Sequence, residues 1–134
     1  MAYGYQSVTI NSGAAAGGDG SATNNGTSTH VITGEICSIG VTYGDSPPAS
    51  TDVTIATTGD NGPALTLLTL TNANSDGWFH IRHKIADNAG ADITYDGTRD
   101  VYEKVSISDY VKVTIAQANS PDTAKVIIVY ASGA

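Results

Sequence analysis

The chain has 134 residues and a mass of 13.7 kDa, enough for one β-sandwich or barrel and too little for two independent cores. Charged residues make up only 14% of it, and six Lys and Arg against 13 Asp and Glu leave a formal net charge of -7. That balance excludes a phosphate-tracking groove, so nucleic acid is not an expected partner. No run approaches the roughly 20 apolar residues that cross a bilayer. The first residues lack the basic and apolar regions of a leader, so the expectation is a chain made in the cytoplasm with no membrane partner.

In chain order, Tyr5 to Ile10 alternates well enough for a short strand, and residues 11 to 29 then contain no large apolar side chain. Glycines there make ordering costly, so the segment reads as a linker. The organisation this implies is an N-terminal arm and Gly-rich linker over residues 1–29 and a β-sandwich domain over 30–134. Either the arm is a disordered tail, or Tyr3, Tyr5, Val8 and Ile10 carry its strand to the sheet edge of a neighbouring subunit.

From His30 onward the pattern has period two. Val31 to Tyr43 reads as a long strand with Cys37, Ile39, Val41 and Tyr43 on one face, and the opposite parity of Ile32, Gly34 and Ile36 predicts a bulge near Ile36. Cys37 is the only cysteine, so no intrachain disulfide is possible, and it is expected in the core. Val53 and Ile55 alternate with Asp52 and Thr54, and Leu65 to Leu70 is apolar on both faces, as in a central strand. Trp78 to Ile85, a short run at Ala91 to Tyr95, and Val101 to Ile107 follow. Val111, Val113 and Ile115 alternate with Lys112 and Thr114, which predicts a half-exposed antiparallel strand, and Val126 to Tyr130 is again apolar on both faces. Seven or eight short strands separated by Gly, Asn, Asp and Pro turns predict an all-β fold, a single β-sandwich or jelly-roll-like domain.

Little in the chain suits catalysis. The histidines are His30, His80 and His83, and there is no nucleophile elbow, so an enzyme is not expected. His80 and His83 are three positions apart, which on a strand sends them to opposite faces and not to a shared metal. The runs Asp87 to Asp92 and Asp96 to Asp100 are oxygen-rich like calcium loops, but they lack the closing Glu of an EF-hand and read as turns. No cofactor or metal is expected. Strand alternation places Phe79 and Ile81 on one face and Trp78, His80, Arg82 and Lys84 on the other. Three readings of that second face stand side by side: a solvated face, a protein interface anchored by Trp78 and Arg82, and a carbohydrate platform on Trp78.

The body of the chain resembles the small β-rich virion proteins encoded beside major capsid genes in tailed bacteriophages, the capsid decoration or head cement proteins. The resemblance rests on Gly34-Glu35-Ile36, Val41 to Asp45, Thr51 to Ile55, Leu67 to Asn72, Asp76-Gly77-Trp78-Phe79, Asp87 to Gly90 and Asp122-Thr123, and spans about residues 32 to 130. In that family the stretch after the Gly-aromatic-aromatic motif is often closer to Tyr-Pro-Arg, whereas this chain has His80-Ile81-Arg82. The resemblance implies a non-enzymatic homotrimer on the capsid exterior, with the major capsid protein as partner and a structural or interfacial role for Arg82. A carbohydrate-binding module and a tail or connector subunit are the alternatives.

Overall fold

The structure is a computed structural model that describes residues 4–132, and among these every regular element is a strand. In chain order they are β1 (Gly4–Asn11), β2 (Ala22–Thr27), β3 (Ile32–Gly44), β4 (Asp52–Thr57), β5 (Thr66–Leu70) and β6 (Gly77–Phe79). Then come β7 (His83–Lys84), β8 (Tyr102–Glu103), β9 (Ser106–Asp109), β10 (Val111–Ala118) and β11 (Thr123–Ser132). The larger sheet runs β1-β11-β3-β6, with β9 also on β3; the second runs β2-β10-β4-β5; and β7 pairs only with β8. All these pairings are antiparallel.

Period-two alternation decides what each sheet buries. On β10, Val111, Val113 and Ile115 are fully buried while Lys112 points to solvent, and Val113 and Ile115 lie opposite Ile55 and Val53 of β4. In the larger sheet two inward rows cross the strands, one of Ile10, Val126 and Val41 and the other of Val8, Ile128, Ile39 and Phe79. The inward faces of both sheets share one core, which makes the fold a β-sandwich. Each buried Val or Ile contributes about 1.5–3 kcal/mol, so these rows dominate stability.

The N-terminal segment is not an arm. β1 pairs along its whole length with β11 of the same chain, from Gly4 opposite Ser132 to Asn11 opposite Lys125, and Ile10 is core. The stretch read as a linker is also built in: β2 pairs with β10, and Ser12, Ala15 and Ala22 are buried. It manages this without large side chains because its anchors are main-chain bonds. Ser12 N donates to Ala124 O at 2.9 Å, Ala124 N donates to Ser12 Oγ at 3.0 Å and Ala15 N donates to Asp122 O at 2.8 Å. Gly26 lies against the Asn11 carbonyl where no Cβ would fit. Small residues here permit close approach of two backbones.

Other expectations fared differently. The bulge is present: Val129 faces Ser38 and Tyr130 faces Ile36, leaving Cys37 as the extra residue. Cys37 is therefore half-buried at the irregularity and not in the core. β5 is an edge strand and not a central one, with Leu67 buried and Leu68 and Leu70 partly covered. β11 is central, yet its Ile127 and Val129 are only half-buried, because among the described residues no second layer covers the outer face of its sheet. Ala91 to Tyr95 forms isolated bridges and no named strand.

Two outcomes test this architecture. Ile128→Ala, which opens a cavity between β1, β3 and β11, is expected to cost about 2–5 kcal/mol in urea unfolding. Deleting residues 1–11 removes Val8 and Ile10 from the core and is expected to cost about 3–6 kcal/mol in the isolated protein, whereas loss of a detached arm would leave the unfolding midpoint unchanged.

Candidate interaction site

The outward face of the larger sheet is composed of the residues that alternate with the core rows. Strand register aligns Thr9, Ile127, Gly40 and Trp78 in one row across four strands, with Ser7, Val129 and Ser38 in the next. Gly40 is the reason Trp78 lies flat. A Cβ built there would sit 2.9 Å from indole Cη2 and Cζ3 and 3.0 Å from Cε2, atoms on opposite sides of the six-membered ring. Near-equal distances to such atoms mean that the ring lies face-on over the Gly40 main chain. One face of the indole is thus held against backbone, the other opens to solvent, and the side chain is 57% exposed. A glycine in a strand interior covered by a cross-strand aromatic is a known stabilising pair.

Polar groups surround the ring. Ser38 Oγ and His80 Nδ1 are 2.9 Å apart, which orients the imidazole on the same outward face. Tyr43 N donates to Asp76 Oδ1 at 2.8 Å, fixing that carboxylate beside the indole. Asp76, Trp78, Thr42 and Ile127 line a shallow cavity of about 230 Å³. A larger concavity of about 550 Å³ lies toward the other end of the sheet, between Tyr5, Thr33, Glu35 and Lys104.

The four residues expected to share this face divide. Trp78 and His80 are on it, with Phe79 and Ile81 turned inward as alternation requires. Arg82 donates from Nη1 to the Ile81 carbonyl at 2.7 Å and is exposed. Lys84 is on β7, part of a knob formed by residues 82–104, because the chain leaves the sheet after β6 and returns only at β9. Its ammonium sits 3.2 Å from Asp100 and 3.8 Å from Asp92; the hydrogen bond to Asp100, aided by both negative charges, holds it above its ordinary pKa. Of the proposed arm contacts, Ile10 is core, Val8 packs on the core, Tyr5 is 74% exposed, and Tyr3 lies outside the described residues.

The knob is tied by its own backbone, with Ile85 N donating to Val101 O and Ile93 N to Ile85 O, both at 2.9 Å. Buried Ile81 and Val105 root it in the sandwich. His83 and Glu103 approach to 3.0 Å across the ribbon. The two acidic loops spend their oxygens internally: Asp87 Oδ1 accepts from Ala89 N and Ala91 N, and Asp96 Oδ1 accepts from Thr98 N and Arg99 N. The Arg99 backbone N–H and then its guanidinium hold the Asp96 carboxyl below its ordinary range, and the same guanidinium lies 5.0 Å from the Tyr95 ring centre. Among the described residues no group of three or more His, Cys, Asp or Glu converges as a metal site. Among the described residues, the histidine ring that meets a hydroxyl is that of His80, at Ser38.

One carboxylate is structural. Burial pushes Asp109 up, but the N–H groups of Gly59, Tyr110 and Asn61 and the Thr58 hydroxyl outweigh it and hold its pKa below 3.8. Comparison of the sequence with protein-family models and with curated proteins finds no match.

Sequence reasoning missed Gly40, Ser38, Thr42, Asp76 and Ile127 as neighbours of Trp78, because register joins them across long separations. The available signal was Gly40 itself, alone between Ile39 and Val41 in a strand, where glycine marks close approach.

Two measurements follow from this geometry. Gly40→Val is expected to lift the indole off the sheet and red-shift the emission of Trp78, the only tryptophan. Because the folded pKa of Asp109 is depressed, its stabilisation is full above pH 3.8 and is lost as pH falls through the folded value. Asp109→Asn is therefore expected to be less stable at neutral pH, with a shallower loss of stability on the acid side, in urea midpoints measured across pH 2–7.

Proposed function

We propose that this is a non-enzymatic capsid decoration protein that binds the outside of a phage capsid as a homotrimer and bridges capsid subunits. The observation that carries the reading is the distribution of exposed large apolar side chains. Of the six on the described surface, three, Ile93 (42%), Tyr95 (76%) and Tyr102 (55%), are gathered on the knob, while Tyr5, Leu65 and Trp78 stand singly on other strands and turns. Tyrosine is enriched at binding hot spots, and a knob rooted by Ile81 and Val105 in a rigid sandwich presents these side chains at little conformational cost.

The low charge content and the sequence motifs shared with the decoration proteins support the same reading. Bridging depends on multivalency: once one contact of a trimer forms, the others act at high effective concentration. Such work needs complementary surface and no reacting group. Under this reading the capsid contact lies on the knob, with Arg82 at its base and Lys84 held by Asp92 and Asp100.

The double variant Tyr95→Ser/Tyr102→Ser tests it. Binding to expanded capsids assembled from the major capsid protein of the same genome is expected to weaken at least thirtyfold, about 2 kcal/mol, with the unfolding midpoint of the isolated protein unchanged. Undiminished addition to capsids by this variant would remove the knob from the contact.

A further inference from the structure

The knob leaves the outward sheet face unspent, and that face has a different chemistry. We infer that Trp78 on its Gly40 seat is a carbohydrate-binding platform for a neutral pyranose. This inference goes beyond the capsid role and does not rest on it.

A pyranose ring is amphipathic in a particular way. Its axial C–H groups form an apolar face about the size of an indole, while its hydroxyls project around the rim. The site has the complementary form. The indole is held flat by the Gly40 main chain, so its open face needs no reorganisation before a sugar stacks on it. Beside it on the same face stand Asp76, Thr42, His80 and Ser38, which supply acceptors and donors. Asp76 is already oriented by Tyr43 N, and a carboxylate accepting from a sugar hydroxyl makes a charge-assisted bond. The adjoining cavity of about 230 Å³ is shallow and offers Ile127 as a second apolar contact.

Other occupants fit less well. A nucleobase would stack equally, but its phosphates would meet Asp76 and a chain of net charge -7. The same charge disfavours an acidic sugar. A protein hot spot is surrounded by contacts that exclude water, whereas this tryptophan is bordered mostly by polar side chains and by the half-buried Ile127. With one aromatic and an open rim, affinity for a single sugar unit is weak, on the order of 1 mM, and gains from repetition across copies of the protein.

Trp78 is the only tryptophan, so its emission reports this site alone. The full chain is titrated with neutral cello-, xylo-, malto-, manno- and chito-oligosaccharides while indole emission is followed. The expected result is a saturable change with at least one of them, weakened at least tenfold in Asp76→Asn and abolished by calorimetry in Trp78→Ala. Both variants should fold cooperatively, Asp76→Asn near the wild-type unfolding midpoint and Trp78→Ala somewhat below it because Gly40 loses its cover. A helper variant, Gly40→Ala, should tilt the ring and weaken binding without removing any side chain that touches sugar. No saturable change with any of the five oligosaccharides would overturn the proposal. So would binding that Trp78→Ala leaves intact, or capsid addition that depends on Trp78 in the absence of sugar binding, which would make the face a protein contact. Failure of the Tyr95/Tyr102 test would leave these titrations unaffected, so the two proposals stand or fall separately.

Discussion

The pairing of β11 with β1 on one side and β3 on the other is the constraint on which the rest of the structure depends. It joins the two ends of the described chain in one sheet, and it sets the inward rows that place Val126 beside Ile10 and Val41, and Ile128 beside Val8 and Ile39. A slip of β11 by one residue would turn Val126 and Ile128 to solvent and leave the rows on β1 and β3 without their centre. The same register places Ile127 beside Gly40, and so prepares the seat on which Trp78 lies. Core and surface are thus two faces of a single set of strand pairings.

How much of this was legible in the sequence depended on side-chain size. Val111, Val113 and Ile115 alternate cleanly and are buried as that alternation requires, and the parity change before Cys37 marks the bulge where it occurs. Residues 11 to 29 were opaque because their anchoring is by backbone and by Ser12, Ala15 and Ala22, which carry no hydrophobic signal. The doubly apolar run at Leu65 to Leu70 misled for the opposite reason. Hydrophobicity on both faces marks burial only when something covers both faces, and β5 is an edge. Likewise, alternation put Trp78, His80, Arg82 and Lys84 on one face, but it holds only while the strand continues, and β6 ends at Phe79.

That ending has functional weight. By leaving the sheet between β6 and β9, the chain separates its exposed aromatics into two populations of different character. Tyr95 and Tyr102 stand on a knob stitched by exposed ion pairs at its surface, each of which contributes little in high dielectric. Trp78 lies on a rigid sheet amid hydroxyl and carboxylate groups. The first arrangement suits capture of a protein surface, and the second suits a small polar ring. Under the proposed capsid role, a protein with both would fasten to a particle through one and meet its surroundings through the other.

The most direct measurement of the proposed capsid role is an image of tailed-phage particles assembled in the presence of this protein carrying a dense label. Our account predicts label on the outside of the head, at repeated positions between capsid subunits. Label confined to the tail or connector, or particles that carry none, would contradict it.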